Sequence, residues 1–203
     1  MSRQQHWEQV YSERSPLEVS WYQREPELSL AIIEESGIDH RAPIIDVGGG
    51  GSTLVDHLLG RGYGDITVLD LSQKALDATA ERLGEGAAGV RWIQSDIAAF
   101  EPPRQYAFWH DRAVFHFLID PADRARYRAA AEAALAPGAF MLIATFAPDG
   151  PEKCSGLPVA RYDAPSLVTE LGDGFQRIES HHETHRTPGG AEQAFGFHLF
   201  RRV

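Results

Sequence analysis

The stretch PIIDVGGGGSTLVDHLL, Pro43–Leu59, decides the fold. IIDV reads as a short buried strand, the four glycines as a tight turn, and Thr53 to Leu59 as a helix with Leu54, Val55, Leu58 and Leu59 on one face. The alternation continues outward. ITVLDL is a second strand, followed by a helix that Ser72 caps and that runs through Ala75, Leu76, Thr79 and Leu83. VRWIQSDI and YAFWHD read as the third and fourth strands, Pro121 to Ala136 as an amphipathic helix, and GAFMLIATF as a fifth strand apolar enough for the centre of a sheet. Strand and helix in alternation imply right-handed crossovers and a parallel α/β sheet covered on both faces. After a helix near Ala164 to Leu171 the pattern changes: GFQRIESHHETHR and EQAFGFHLFRRV, joined by TPGG, read as an antiparallel pair. Before the first strand, helices near Gln4 to Ser12 and Glu25 to Ser36 are placed to form a lid over the sheet's carboxyl edge.

Composition narrows the function classes. A chain of 203 residues with 43% hydrophobic and 24% charged residues suits one domain, and neither an internal repeat nor a linker divides it. Nineteen Lys and Arg against twenty-nine Asp and Glu give a formal charge of -10, which disfavours a broad nucleic-acid or anionic-membrane surface. The single cysteine, Cys154, excludes an internal disulfide and a cysteine-rich zinc site. No apolar run is long enough to span a bilayer, and the opening MSRQQHWEQVYSERS lacks a signal peptide's apolar core, so a cytoplasmic location is expected.

In a sheet of this kind, ligands bind at the carboxyl ends of the strands, where the strand order reverses. The loop after the first strand is such a place, and Gly48, Gly49 and Gly50 let the backbone approach a ligand closely. A plain structural turn is the simpler reading of the glycines alone. A phosphate-binding P-loop needs a lysine before the Ser or Thr, and GGGGST has none. A dinucleotide fingerprint matches at Gly48 and Gly50 but meets Thr53 where its third glycine belongs. Asp46 beside the turn would repel a pyrophosphate and attract a ligand carrying a sulfonium and an ammonium, which favours S-adenosylmethionine. Asp70, about twenty residues on at the end of the second strand, is placed to accept from ribose hydroxyls, with Leu71 beside it. Asp96, after the third strand, suits an adenine amino group, with Ile97 packing on the ring.

IIDVGGGGSTL, VLDLS and QSDI resemble the successive motifs of the class I S-adenosylmethionine-dependent methyltransferases, over essentially the whole chain. Ser52 departs from a family loop that often has a further glycine. The resemblance implies a single domain, 1–203, in which a helical lid (1–42) covers a Rossmann-like core (43–203). That core would be a doubly wound, mostly parallel seven-stranded sheet with an antiparallel C-terminal strand. It also implies S-adenosylmethionine as cofactor and S-adenosylhomocysteine as product. WHDRAVFHFLIDPADR and GLPVARYDAPSL resemble more loosely the thiopurine and tellurite-resistance methyltransferase branch, with His110 interposed and Ala113 in place of a glycine. HWEQVYSERSPLEVSWYQ resembles the lead-in of a group that includes protein-lysine methyltransferases, whose aromatic residues close over the cofactor.

These resemblances mark further candidates. Tyr11, Trp21 and Tyr22 form an aromatic lid or, equally, anchor the N-terminal helices. His110 follows the fourth strand beside the cofactor. Arg112 stabilises an anionic acceptor or pairs with Asp111 or Asp120, and His116 is a candidate base whose plainer reading is a core histidine. Cys154, Arg161 and Arg186 lie on the substrate side, where a loop thiol and surface charges are the default. HHETH (His181 to His185) lacks the H-E-x-x-H order; in a strand its outer histidines stand about 13 Å apart, so no metal is expected. The expected partner is a small-molecule acceptor such as a thiol, with the chain a monomer or weak homodimer. A protein methyltransferase, an NAD-dependent oxidoreductase and a silent nucleoside-binding regulator are the alternatives.

Overall fold

A computed structural model describes residues 2–15 and 17–203, so Pro16 of the lead-in segment lies outside the described residues. Two helices come first, α1 (Arg3–Glu13) and α2 (Glu27–Glu35). The core then runs β1 (Ile44–Val47), α3 (Leu54–Gly60), β2 (Ile66–Asp70), α4 (Gln73–Leu83), β3 (Val90–Gln94), β4 (Tyr106–Arg112), α5 (Pro121–Ala134) and β5 (Leu135–Phe146). A small hairpin, β6 (Lys153–Cys154) and β7 (Leu157–Pro158), precedes α6 (Ala164–Leu171), β8 (Phe175–Arg186) and β9 (Glu192–Arg202).

Seven strands form one sheet in the order β3-β2-β1-β4-β5-β9-β8. The pairings among β1 to β5 are parallel, and β9 runs antiparallel to both its neighbours. The expected α/β sheet with its late antiparallel strand is the one observed. The order reverses between β1 and β4, which puts the glycine turn after β1 at the switch point.

Period-2 alternation sends the sheet's side chains into two cores. Ile44, Phe108 and Leu142 join Leu30 and Ile33 of α2 with Leu54 and Leu58 of α3. Ile45, Val47, Trp109 and Met141 join Tyr127 and Ala131 of α5 with Leu167 and Leu171 of α6. Ser72 caps α4 by accepting from the Ala75 N–H, as its position predicts, and Asp120 caps α5 by accepting from the Ala122 N–H. Helix α2 starts at Glu27 instead of Glu25, with Pro26, whose fixed φ suits a helix entry, as its N-cap. Helix α5 ends at Ala134, two residues short of the expected limit, because Leu135 already has extended backbone.

Candidate active site

The glycine turn is built by close contacts. Gly48 takes φ +71°, a left-handed conformation that suits glycine, and its N–H donates to the Leu69 carbonyl at 2.6 Å. A Cβ at Gly49 would collide with the Asp46 carboxylate, and one at Gly51 would come within 2.7 Å of the Tyr11 ring. Gly50 faces Asp70: its N–H donates to Oδ2 at 3.0 Å. It lies behind the turn and not among the residues lining the cavity, so its contribution passes through Asp70.

Above the turn lies a cleft of about 760 Å³, counting the space open to solvent, and it shares lining residues with a second compartment of about 430 Å³ counted the same way. Gly48, Trp21 and Arg112 border both. Asp70, Leu71, Asp96, Ile97 and Tyr11 line the first; Tyr22, Asp46, Gly49 and His110 line the second. The structure thus brings together all the expected cofactor residues except Gly50.

The acids are differently prepared. Asp70 accepts from the Ser72 N–H at 2.8 Å as well as from Gly50, but burial outweighs these bonds and raises its pKa to about 6. Asp96 accepts from the Ala98 N–H at 2.9 Å and pairs with Arg3 at 3.3 Å. Asp46 is held through Oδ1 by His110 Nδ1 at 2.7 Å, while its buried Oδ2 has no hydrogen-bond partner. A buried acceptor without a donor is costly, and an ammonium satisfies it better than a neutral group does. The glycine cradle and this orphaned oxygen suit a ligand that carries an ammonium, as S-adenosylmethionine does, whereas the acids around the turn would repel a pyrophosphate.

Helix α1 forms the roof. Trp7 meets Trp21 edge-on at 5.6 Å and Phe117 at 5.2 Å, and Tyr11 meets Trp21 at 6.0 Å. Burial, reinforced by Asp70, holds the Tyr11 hydroxyl well above its usual pKa. Glu8 locks the helix down by accepting from the Gln73 N–H at 2.8 Å and the Ser72 hydroxyl at 3.0 Å, at the N-terminus of α4. Arg3 adds a pairing to Asp123 at 2.9 Å. Trp7, Phe117 and Arg3 were missed by sequence reasoning. Trp7 was recoverable, since it stands four residues before Tyr11 and so shares its helical face.

Arg112 lies in the wall common to both compartments. Its Nη1 donates to the Trp21 carbonyl at 3.0 Å, and its Cζ sits 4.6 Å from the Phe195 ring centroid. Nη2 approaches Glu183 only to 4.0 Å, and both Nε and Nη2 are buried without hydrogen-bond partners. Burial lowers its pKa to about 10, so it stays charged at neutral pH. The anticipated partners Asp111 and Asp120 are occupied elsewhere, Asp111 by the Val114 and Phe115 N–H groups and Tyr127, Asp120 by the Ala122 N–H.

His116 requires correction. It is fully buried, and its Nδ1 accepts from the Phe146 N–H at 3.4 Å. Burial, helped by Arg112, lowers its pKa to about 3. It is absent from the cavity lining, because the short turn over Phe115–Phe117 directs it into the core and Phe117 outward. Cys154 does reach the cavity through the β6–β7 hairpin, with its thiol pushed up to about 11 by burial, so it is an uncharged contact and not a nucleophile. Arg161 pairs with Glu152 and Arg186 with Glu192. His185 turns to the Ser20 carbonyl at 2.8 Å, away from His181, which pairs with Glu179.

This sheet order, with the glycine turn at the reversal and an acid after each of the first three strands, defines a Rossmann-like class I methyltransferase architecture. Residues 44–138 match the family model described as a methyltransferase domain, which marks this stretch as the domain of an S-adenosylmethionine-dependent methyltransferase. No curated protein sequence matches it significantly. Among solved structures, it resembles the 1,6-didemethyltoxoflavin-N1-methyltransferase of Burkholderia thailandensis, bound to 1,6-didemethyltoxoflavin and S-adenosylhomocysteine. That likeness has 20% identity and a TM-score of 0.70, covering 96% of this chain and 81% of that one. The N-methyltransferase NodS of Bradyrhizobium japonicum, in complex with S-adenosylhomocysteine, gives 14% identity and 0.70 over 99% of each chain. A structure described for conversion of a disulfide bond into a thioacetal group during echinomycin biosynthesis gives 18% identity and 0.75, over 99% and 92%. At these identities the likenesses define the fold.

Proposed function

We propose that this methyltransferase acts on a small, largely apolar molecule whose nucleophile, a thiolate or similar soft anion, lies against Arg112. The observation that carries the reading is the Arg112 guanidinium, buried in an aromatic-roofed cavity with Nε and Nη2 unpartnered. Those two donors share one edge of the planar group, a geometry suited to an anionic acceptor. The roof from Trp7 and Phe117 matches an apolar body. A neighbour of the same fold is named for N-methylation of 1,6-didemethyltoxoflavin, which supports the small-molecule part of the reading.

Bound S-adenosylmethionine supplies an electrophilic methyl group whose in-line displacement leaves the thioether. The chain's part is alignment and exclusion of water. Asp46, Asp70 and Asp96 would hold the cofactor's ammonium, ribose and adenine in turn, the α1 roof covers the cavity, and Arg112 would hold the acceptor in its anionic form. His116 moves no proton to the acceptor, being both remote from the cavity and too weak a base. An acceptor that arrives ionised needs no protein base. The acidic charge balance goes with an acceptor that is neither nucleic acid nor membrane, in a cytoplasmic monomer or weak homodimer. No helix among the described residues is long and apolar enough to cross a membrane.

The test is methyl transfer from labelled S-adenosylmethionine to a panel of aryl thiols, phenols, amines and a lysine-rich protein. Transfer to thiols or phenols is expected, with KM for them raised about tenfold or more in Arg112→Gln and less in Arg112→Lys. Labelling of the protein substrate alone would overturn the reading.

A further inference from the structure

Asp46 and His110 are register partners on β1 and β4, so their side chains leave the sheet on the same face, toward α2. There His110 Nε2 meets Ser29 Oγ at 2.9 Å, while Nδ1 meets Asp46 Oδ1 at 2.7 Å. The aspartate and histidine side chains are each only 3% exposed, and Ser29 is fully buried. A carboxylate only accepts, so His110 donates from Nδ1 to Asp46, while Nε2 engages the Ser29 hydroxyl, which can serve as donor or acceptor. With both ring nitrogens engaged, the imidazole cannot turn, and the carboxylate is fixed about its own last torsion. One oxygen is consumed. The other, Oδ2, lies beneath Gly49, where any Cβ would strike it, and has no donor, while Asp46 lines the second compartment.

We propose that His110 and Ser29 are positioning residues for cofactor recognition: they hold Asp46 by Oδ1 so that Oδ2 is presented to the ammonium of the cofactor's amino-acid end. The inference rests on the cofactor assignment above and extends it to two residues that need not touch the cofactor's charge themselves. It also gives α2 a task beyond covering the sheet, because Ser29 ties the orientation of the ligand-binding acid to the N-terminal segment. Positioning of a ligand-binding group by a second layer of hydrogen bonds is a general device, and its removal costs affinity for the group so positioned.

The test compares two nucleosides by isothermal titration calorimetry. S-adenosylhomocysteine carries the ammonium; 5′-methylthioadenosine keeps the adenosine and thioether but lacks the amino-acid end. In His110→Leu, affinity for S-adenosylhomocysteine should fall about tenfold, with 5′-methylthioadenosine changed less than about twofold. Ser29→Ala should show a smaller loss of the same selectivity, which keeps the test available if His110→Leu folds poorly. His110→Asn, which can still donate toward Asp46, should recover part of the loss. In an Asp46→Asn background, His110→Leu should add nothing further. Equal losses for both nucleosides, or no loss for either, would overturn the positioning role while leaving the cofactor site standing. A wild-type chain that binds neither nucleoside would overturn the cofactor assignment and the relay with it.

Discussion

Replacing Asp70 by Asn should separate cofactor affinity from stability, because the carboxylate that a nucleoside needs is one the ligand-free fold holds against the cost of burial. Burial raises its pKa from 3.8 to about 6, a shift of about two units, and each unit represents about 1.4 kcal/mol between the two protonation states. A folded-state pKa above the unfolded value means that this group's contribution to stability is fully present below the unfolded pKa, near 3.8. It is lost as pH rises through about 6. At about pH 7.5 the ionised side chain therefore costs the fold about 3 kcal/mol. The amide in Asp70→Asn never ionises, but it can accept from only one of the Ser72 and Gly50 N–H groups, which returns about 1 kcal/mol or somewhat more of that gain. The variant should be more stable than wild type by about 1 to 2 kcal/mol near pH 7.5, and this advantage should shrink by about 1.4 kcal/mol at about pH 5. Urea unfolding of the two ligand-free proteins at both pH values reads the difference, in which groups common to both proteins cancel. S-adenosylhomocysteine should meanwhile bind the variant about ten- to a hundredfold more weakly. A variant that is less stable at both pH values by the same amount, or that binds the nucleoside as tightly as wild type, would refute the reasoning.

Two further perturbations address the roof and the loop after β4. Glu8→Ala removes the acceptor that ties α1 to the start of α4, so S-adenosylhomocysteine should dissociate about tenfold faster in stopped-flow tryptophan fluorescence; an unchanged rate would mean that the aromatic contacts alone hold the lid. Ala113 occupies φ +71°, so Ala113→Gly should relieve about 1 kcal/mol of strain and lose somewhat less to chain entropy. A small rise in unfolding midpoint is expected, and a loss of more than about 1 kcal/mol would contradict it.

The parts of the molecule legible in its sequence are those in which local pattern and burial coincide. IIDV and GAFMLIATF are mostly apolar because parallel strands at a sheet's centre are covered on both faces, and Ser72 marks a helix start because its hydroxyl meets an orphan N–H. Acids at strand ends were legible as site residues for a topological reason: the carboxyl edge at the order reversal is where a ligand sits. The β6–β7 hairpin was not, since two-residue strands carry no period, and its turn depends on positive φ at Ser155 and Gly156. Phe117 and His116 show the same limit. Adjacent in an apolar run, they differ in function only through which side of a short turn meets the cavity, and that is decided by packing against Trp7 and Phe146.

The ends of β1 and β4 show how the alternation of a strand divides labour between neighbouring residues. Asp111 points to the α5 side, where the Val114 and Phe115 N–H groups and the Tyr127 hydroxyl engage both of its oxygens, and Trp109 donates in turn to Tyr127. That acid is spent on shaping the loop that sets Val114 over Gly48 and Phe117 beneath Trp7. Asp46, reaching the opposite face, receives one bond from His110 and keeps one oxygen bare. Burial is nearly the same for the two, and so cannot distinguish structural from functional acids. The distinction lies in the donors supplied. Among the described residues, Asp46 Oδ2 is the one buried carboxylate oxygen without a hydrogen-bond partner, and it lies beneath a glycine that leaves it room, a position suited to a donor from outside the chain.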